Sequence, residues 1–535
     1  MTDHIHALLS LAAQAENTLL QDTNASATHC AQKTASALLR QGRENPDCLL
    51  ALFYLSGDDQ KRPSTALRHA SLMAFIGILQ QYNDHYLQHL VAATFCVTAL
   101  RQTERAMQVQ RAFWLQKKLR LFTELSRLSR VTDHHSPIAF LRIQTLTLEQ
   151  RWYILVVAIC NNKTLAIVDV LKRAIPHIPV HQRHCFAALV NYPLDSLPGC
   201  EIIYKEQQGV LINHLSPDRA LIWLDQKSEF ADVSLSKTQI QRRAILSFSQ
   251  WSKLLNQSPV SALALKNLAP RSFPVSNLPA DLASIVTMLQ DSALDINKLV
   301  AALNKHPFLA DFLKKMAGQE NRLRIAVNEV KQAVMTYGLQ RLADMLVLRA
   351  LTQRLQQKGF PLLATCNRIS DVGASVASRL AEMSPTSSLT PQCAALLATF
   401  SIAPLYSLPS LKTRKKWPAA TGPAHRLDSF AKDSNDTMQK MAVTLAAQWR
   451  QPALYQSILS HSGSSASDIP VRIKADSVIA GLSLQLTNRW LFAHSPHPDD
   501  ARYYRESLGV LKVSDADITT IQRDISPLLW LPLTE

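Results

Sequence analysis

The sequence predicts a mainly α chain, two helical bundles with a small antiparallel β insertion between them. Three observations carry this reading. Only 13 of 535 residues are glycine, which leaves few tight turns and favours helix. Apolar residues recur at i, i+3, i+4 along most of the chain, the stripe of an amphipathic helix. Between about 188 and 224 that period gives way to short β-rich runs. At 47% hydrophobic and 18% charged, the chain is globular and long enough for two to four domains.

Residues 1–63 form an N-terminal helical segment, with Ile5, Leu8, Leu9 and Ala12 on one stripe and a helix start at Pro46-Asp47. Residues 64–190 read as a second helical unit, in which Tyr153 to Cys160 is too short to cross a bilayer. Within 191–256, Ile202-Ile203-Tyr204, Gly209 to Ile212 and Ala220 to Leu224 predict a three-stranded meander. Residues 226–256 read as helical, with Trp251, Leu254 and Leu255 packing inward. Residues 257–277, with Pro259, Pro270 and Pro274, form a linker. Residues 278–527 are again helical. Pro307 suits a first helical turn, where its missing N–H has no partner to lose. Gly338 breaks a helical run that Leu339 restarts, as expected of two helices meeting at a tight bend.

Several of these residues carry a family resemblance. Leu278-Pro279, His306-Pro307-Phe308-Leu309, Val334 to Leu342 around Gly338-Leu339, and the late Trp449-Arg450-Gln451-Pro452 resemble the HDOD family. That is an output domain related to the HD-type metal phosphohydrolases. His306 departs from the family's usual aspartate. The resemblance implies an HD-like helical bundle that has lost its metal chemistry. In the hydrolases, one apolar helix carries a His-Asp pair. Here that position falls near Phe400-Ser401, and neither side chain can replace an imidazole and a carboxylate on a hard cation. Residues 64–225 show a weaker resemblance to HD-GYP proteins. His69 stands as the leading histidine, and Asn191-Tyr192-Pro193-Leu194 as the entry to a small β appendage. The matching apolar helix, Val91 to Val97, has no His-Asp pair.

Other candidate sites are set by histidine spacing. His177, His181 and His184 lie at i, i+4, i+7, a spacing one helix face offers to a transition metal. Pro176 and Pro179 interrupt that helix, so loop histidines are expected. His85 and His89 lack the glutamate of a His-Glu-x-x-His site, and Asp133-His134-His135 reads as a polar turn. Glycine-rich phosphate loops and a Gly-x-Ser-x-Gly elbow are absent from the sequence. No catalytic residue, metal ligand or cofactor is therefore expected.

The eight cysteines are scattered without a Cys-x-x-Cys pair, and the opening residues lack the pattern of a signal peptide. These features suggest a cytoplasmic protein with no membrane partner. The formal net charge of +16 admits an acidic partner, nucleotide or nucleic acid. Two basic stretches could serve it: the helix Glu104 to Arg130 with Phe113 and Trp114, and the loop Lys412, Arg414, Lys415, Lys416 and Trp417. The expected function is non-catalytic signal transduction. In it, the HDOD-like unit acts as a scaffold for signalling proteins such as a kinase or a cyclic-dinucleotide enzyme. The alternatives are a metal-dependent phosphohydrolase of the cyclic-dinucleotide phosphodiesterase type in the N-terminal half, or a receptor for a nucleotide or nucleic acid.

Overall fold

The structure is a computed structural model and describes residues 2–21, 25–56, 63–101, 120–129, 137–162, 166–259, 273–289, 295–320, 327–418, 422–431, 435–492 and 497–529. The chain is mainly α and divides into two compact units, Met1–Ser272 and Phe273–Glu535. The division falls inside the expected 257–277 linker. The main core of the first unit runs from Leu8 to Leu255, and a smaller one lies in the β residues around Cys200, Ile202, Leu211 and Ile222. The stretches 1–63, 64–190 and 191–256 thus share one interior.

The first unit opens with three helices, Thr2–Gln21, Ala25–Glu44 and Pro46–Tyr54. Asn45 caps the third by accepting from the Asp47 N–H at 3.0 Å, and Pro46 fills its first turn. Thr65–Leu79, Asp84–Arg101 and Leu148–Asn161 follow, the last begun by a Thr147–Gln150 capping box. All three are buried on nearly every side, so they read as apolar throughout rather than striped.

The β insertion has five strands, not the three the period change predicts. They are β1 (Cys200–Tyr204), β2 (Gln207–Ser216), β3 (Arg219–Leu224), β4 (Glu229–Ser234) and β5 (Thr238–Ala244). The sheet is antiparallel with order β4-β3-β2-β1-β5. Residues 226–256 are accordingly not one helical stretch; only Phe248–Gln257 is helical. The two added strands lie at the sheet's edges, where few side chains are buried. Phe230 against Trp223 (4.8 Å between centroids) and buried Val233 are β4's main apolar contacts, too sparse to show as a period. Lys205 and Glu206, both at positive φ (48° and 66°), make the two-residue turn that joins β1 to β2.

In the second unit, short helices Ala280–Leu289, Ile296–Asn304, Pro307–Glu320 and Val330–Tyr337 lead into the longer Leu339–Gln356 and Leu363–Met383. Pro391–Ile402, Asn435–Gln448, Ala453–Ser460 and Lys474–Leu491 pack around them, and Pro498–Leu511 and Asp515–Asp524 close the bundle. Ser514 caps the last of these, as its position before the apolar stripe predicts. Gly338 joins two helices at φ 73°, ψ 161°, a region open essentially to glycine alone. A Cβ there would meet no atom within 4 Å, so the constraint is conformational rather than steric. Gly338→Ala is expected to destabilise the unit by about 1–3 kcal/mol, seen as a lower urea midpoint with an unchanged slope.

Candidate functional site

Each unit encloses a polar cluster. In the second unit it surrounds Phe400-Ser401, where the HDOD resemblance of the sequence would set the hydrolases' His-Asp pair. Phe400 and Ser401 are adjacent near the end of helix Pro391–Ile402, about 100° apart around its axis, and they enter different surroundings. Phe400 is fully buried in the apolar core, edge-on to Trp449 with centroids 6.4 Å apart. Ser401, 2% exposed, lines a cavity of about 10 Å3 together with His425, Asn435, Gln439 and Ser462. That is room for about one water molecule. The hydroxyls of Ser401 and Ser462 have no hydrogen-bond partner among the described residues.

Helix Lys474–Leu491 extends the cluster. Asn488 donates from Nδ2 to Ser429 Oγ at 2.5 Å, and Gln485 donates from Nε2 to the Asp500 carbonyl at 2.7 Å. Their side-chain carbonyl oxygens are buried without partners. His425, 7% exposed, lies flat on the Tyr503 ring at 3.9 Å, with 7° between the planes. Its Nδ1 stands 3.8 Å from Asp500 Oδ1, too far for a hydrogen bond. Burial, offset in part by Asp500, pushes the imidazole down to about 4, so it is neutral near pH 7. Four of the cavity's residues, His425, Asn435, Gln439 and Ser462, also line a wider inlet of about 390 Å3. Around Ser401 the donor set is hydroxyl, amide and neutral imidazole. Such a set solvates polar groups and holds a hard divalent cation poorly. Among the described residues, no three histidine, cysteine or acidic side chains converge in a way that could hold a metal.

The motif residues behind the HDOD resemblance fall at structural joints. Pro307 begins its helix. Trp449 follows the last turn of helix Asn435–Gln448, where Arg450 at φ 55° reverses the chain. The Gln451 N–H then reaches back to the Ala446 carbonyl and the Arg450 N–H to Ala447, both at 2.9 Å, a Schellman ending. Pro452 starts the next helix. The fully buried Trp449 indole donates to the Val275 carbonyl at 2.8 Å, tying this ending to the first residues of the unit.

The basic loop is less basic at its surface than its composition suggests. Lys412 is buried, with its Nζ 4.3 Å above the Phe360 ring, and burial lowers its pKa to about 8. Trp417 stacks on Phe492 at 5.6 Å. Arg414 donates to the Ser410 carbonyl at 3.1 Å, and Lys415 is half-buried. Lys416 alone of the five is well exposed. Charge spacing along a loop does not show which stems the core will take.

In the first unit, His69 is buried with Nδ1 2.7 Å from its own helix's Thr65 carbonyl, and the Val91 to Val97 stretch lies in the core. His85 and His89 meet edge to face at 5.0 Å. Around His177 the chain is broken into short pieces, Ile175–His177, Val180–Arg183 and His184–Phe186. His177 accepts from Arg142 Nε at 2.5 Å. The side chains of His181 and His184, most of the basic helix 104–130, and Asp133-His134-His135 lie outside the described residues.

Sequence reasoning missed the first unit's polar cluster. Asp47, at the start of helix Pro46–Tyr54, accepts from the His214 backbone N–H (2.6 Å) and the Tyr192 hydroxyl (2.7 Å), and it faces His214 Nδ1 at 2.9 Å. His214 Nε2 in turn meets Ser196 Oγ at 3.0 Å. These are the spacings of a serine–histidine–aspartate relay. Yet Asp47 and His214 are 0% and Ser196 1% exposed, so no substrate reaches the hydroxyl, and the cluster works as a structural tie. Asn45 extends it by donating to Asn213 Oδ1 at 2.7 Å. Register shifts in β2 beside Asn213 and His214 help bring both inward. The sequence signal was the pair Asn213-His214 in the middle of an apolar strand.

No family model matches the chain, and no curated protein matches it. Among solved structures, it is similar to an HDOD domain protein of unknown function from Geobacter sulfurreducens. The identity is 16%, covering 49% of this chain and 95% of that one, with a TM-score of 0.32. It is also similar to the MmoQ response regulator from Methylococcus capsulatus, again at 16% identity. That match covers 45% of this chain and 94% of that one, with a TM-score of 0.23. The likeness to the HDOD protein is distant and does not by itself make this chain a member of that family. The HD-GYP resemblance of residues 64–225 finds no support in these comparisons.

Proposed function

We propose that this chain is a non-catalytic regulatory protein of bacterial-type signalling, whose second, HDOD-like unit acts by binding a partner. One observation carries the reading. At the position of the hydrolase pair, Phe400 fills the apolar core against Trp449, and Ser401 faces hydroxyl and amide groups and the single imidazole of His425, with no carboxylate lining its cavity. Activating a water for attack on phosphorus requires anionic or imidazole ligands converging on a metal. Phe400 and Ser401 supply neither, and one imidazole nearby is no converging set: among the described residues no three metal-ligating side chains come together. An apolar groove of about 460 Å3, lined by Val275, Leu355, Pro404, Tyr406, Met441 and Leu445, offers a surface for a signalling protein such as a kinase or cyclic-dinucleotide enzyme.

Elemental analysis of tag-free protein tests the first half of this reading. Less than about a tenth of a metal ion per chain is expected, with no cyclic-dinucleotide hydrolysis when manganese is added. Near-stoichiometric manganese, iron or zinc that supports hydrolysis would overturn it. The binding half is tested by cross-linking in cells. Met441→Glu, which places a charge in the groove, is expected to remove a partner adduct formed by the parent chain. Retention of every adduct would rule the groove out.

A further inference from the structure

The inlet of about 390 Å3 in the second unit combines two features that general scaffolding does not require. Its mouth is acidic. Asp436, Asp468, Asp499 and Glu506 face Arg426 and Arg502, a local excess of two negative charges on a chain whose formal net charge is +16. The arginines are moreover already engaged. Arg502 donates to Glu506 at 2.8 Å, and Arg426 pairs with Asp428 at 3.1 Å. Asp436 and Asp468 have no lysine or arginine within ion-pair distance among the described residues. Its inner end is polar and under-satisfied. His425 Nδ1, on a side chain 9% exposed, and the Ser462 hydroxyl lack hydrogen-bond partners among the described residues, and so does the Ser401 hydroxyl in the adjoining small cavity. Buried polar atoms left unpaired are costly unless something else completes them.

We propose that this inlet binds a small organic cation of the linear polyamine class, with one ammonium group directed inward past His425 and Ser462 and the remaining amines held by the carboxylates at the mouth. An ammonium group brings three N–H donors. Two unpaired hydroxyls and a neutral imidazole are acceptors suited to them. The inner cavity of about 10 Å3 favours a compact ammonium over the planar fork of a guanidinium. The volume of the inlet lies within the range, about 300–1,000 Å3, of pockets that hold small molecules. A bare metal ion fits less well. The carboxylates come from two helices and a turn around a wide mouth, and no group of three metal-ligating side chains converges among the described residues. The proposal gives the regulatory chain an input and rests on the inlet alone, so it stands or falls separately from the absence of catalysis.

Isothermal titration of the full chain with spermidine tests it. Saturable one-site binding is expected, weakening as salt is raised because the attraction is partly ionic. The doubly substituted Asp436→Asn, Asp468→Asn chain is expected to bind at least about tenfold more weakly, since each charge-assisted hydrogen bond contributes enough for such a factor. Both positions are exposed, so this variant is expected to keep the parent's thermal transition. Ser401→Val should weaken binding by several-fold; if it fails to fold, the double variant still decides. No saturable heat at millimolar spermidine, equal binding by the double variant, or tighter binding of free arginine than of spermidine would each overturn the proposal.

Discussion

Replacing Trp449 with alanine is expected to lower the stability of the second unit by about 3–5 kcal/mol, the usual cost of deleting a large, fully buried aromatic. Two losses add here. The indole fills the space beside Phe400, and its N–H satisfies the Val275 carbonyl at 2.8 Å. Trp449→Phe keeps most of the volume and loses the hydrogen bond, so its cost should be nearer 1–2 kcal/mol. With two units the melt need not be two-state, and calorimetry should show one transition moving by roughly 10 °C while the other stays. Equal movement of both transitions would contradict an effect confined to this unit. A fall of under about 1 kcal/mol for Trp449→Ala would mean that the tryptophan is not the joint its contacts indicate.

Asp47→Ala should damage the first unit by a comparable amount, about 3–5 kcal/mol, because it strands a buried His214 and leaves a tyrosine hydroxyl and a backbone N–H unpaired. The cost should be strongly non-additive with His214→Ala. In a double-mutant cycle, the second substitution removes a group that the first has already stranded. A coupling near zero would break the account of a single tie. The relay-like spacing adds a chemical check. An organophosphorus reagent specific for activated serines should leave Ser196 unlabelled in the native chain, because a hydroxyl 1% exposed is out of its reach. Labelling under native conditions would make the cluster a nucleophile after all.

Local rules fixed much of the second unit in advance. Periodic apolar spacing, Pro307 at a first turn, Gly338 between two helices and Ser514 as a cap are all statements about neighbours within one or two helical turns. The structure keeps each of them. Trp449 and Pro452 were legible as a motif, but the partner of the indole, the Val275 carbonyl 174 positions earlier, was not. The edge strands β4 and β5 escaped for a related reason. An edge strand buries little, so its composition stays polar and leaves a weak alternation to read.

The candidate sites divide along the same line. The sequence by itself determined that helix Pro391–Ile402 carries no histidine or carboxylate, because residue identity settles ligand chemistry before folding does. Only the tertiary structure decided what surrounds its Phe400 and Ser401. A helix and two turns distant in sequence bring Ser401, His425 and Ser462 to one cavity, and the chain's return joins Asp47 to His214 across 167 positions. It also decided that Lys412 is buried and that Trp417 packs, partly buried, against the core. Burial is a property of the packed whole. A loop's charge can be counted from its letters, but the side of the surface on which each side chain ends depends on the elements packed against it.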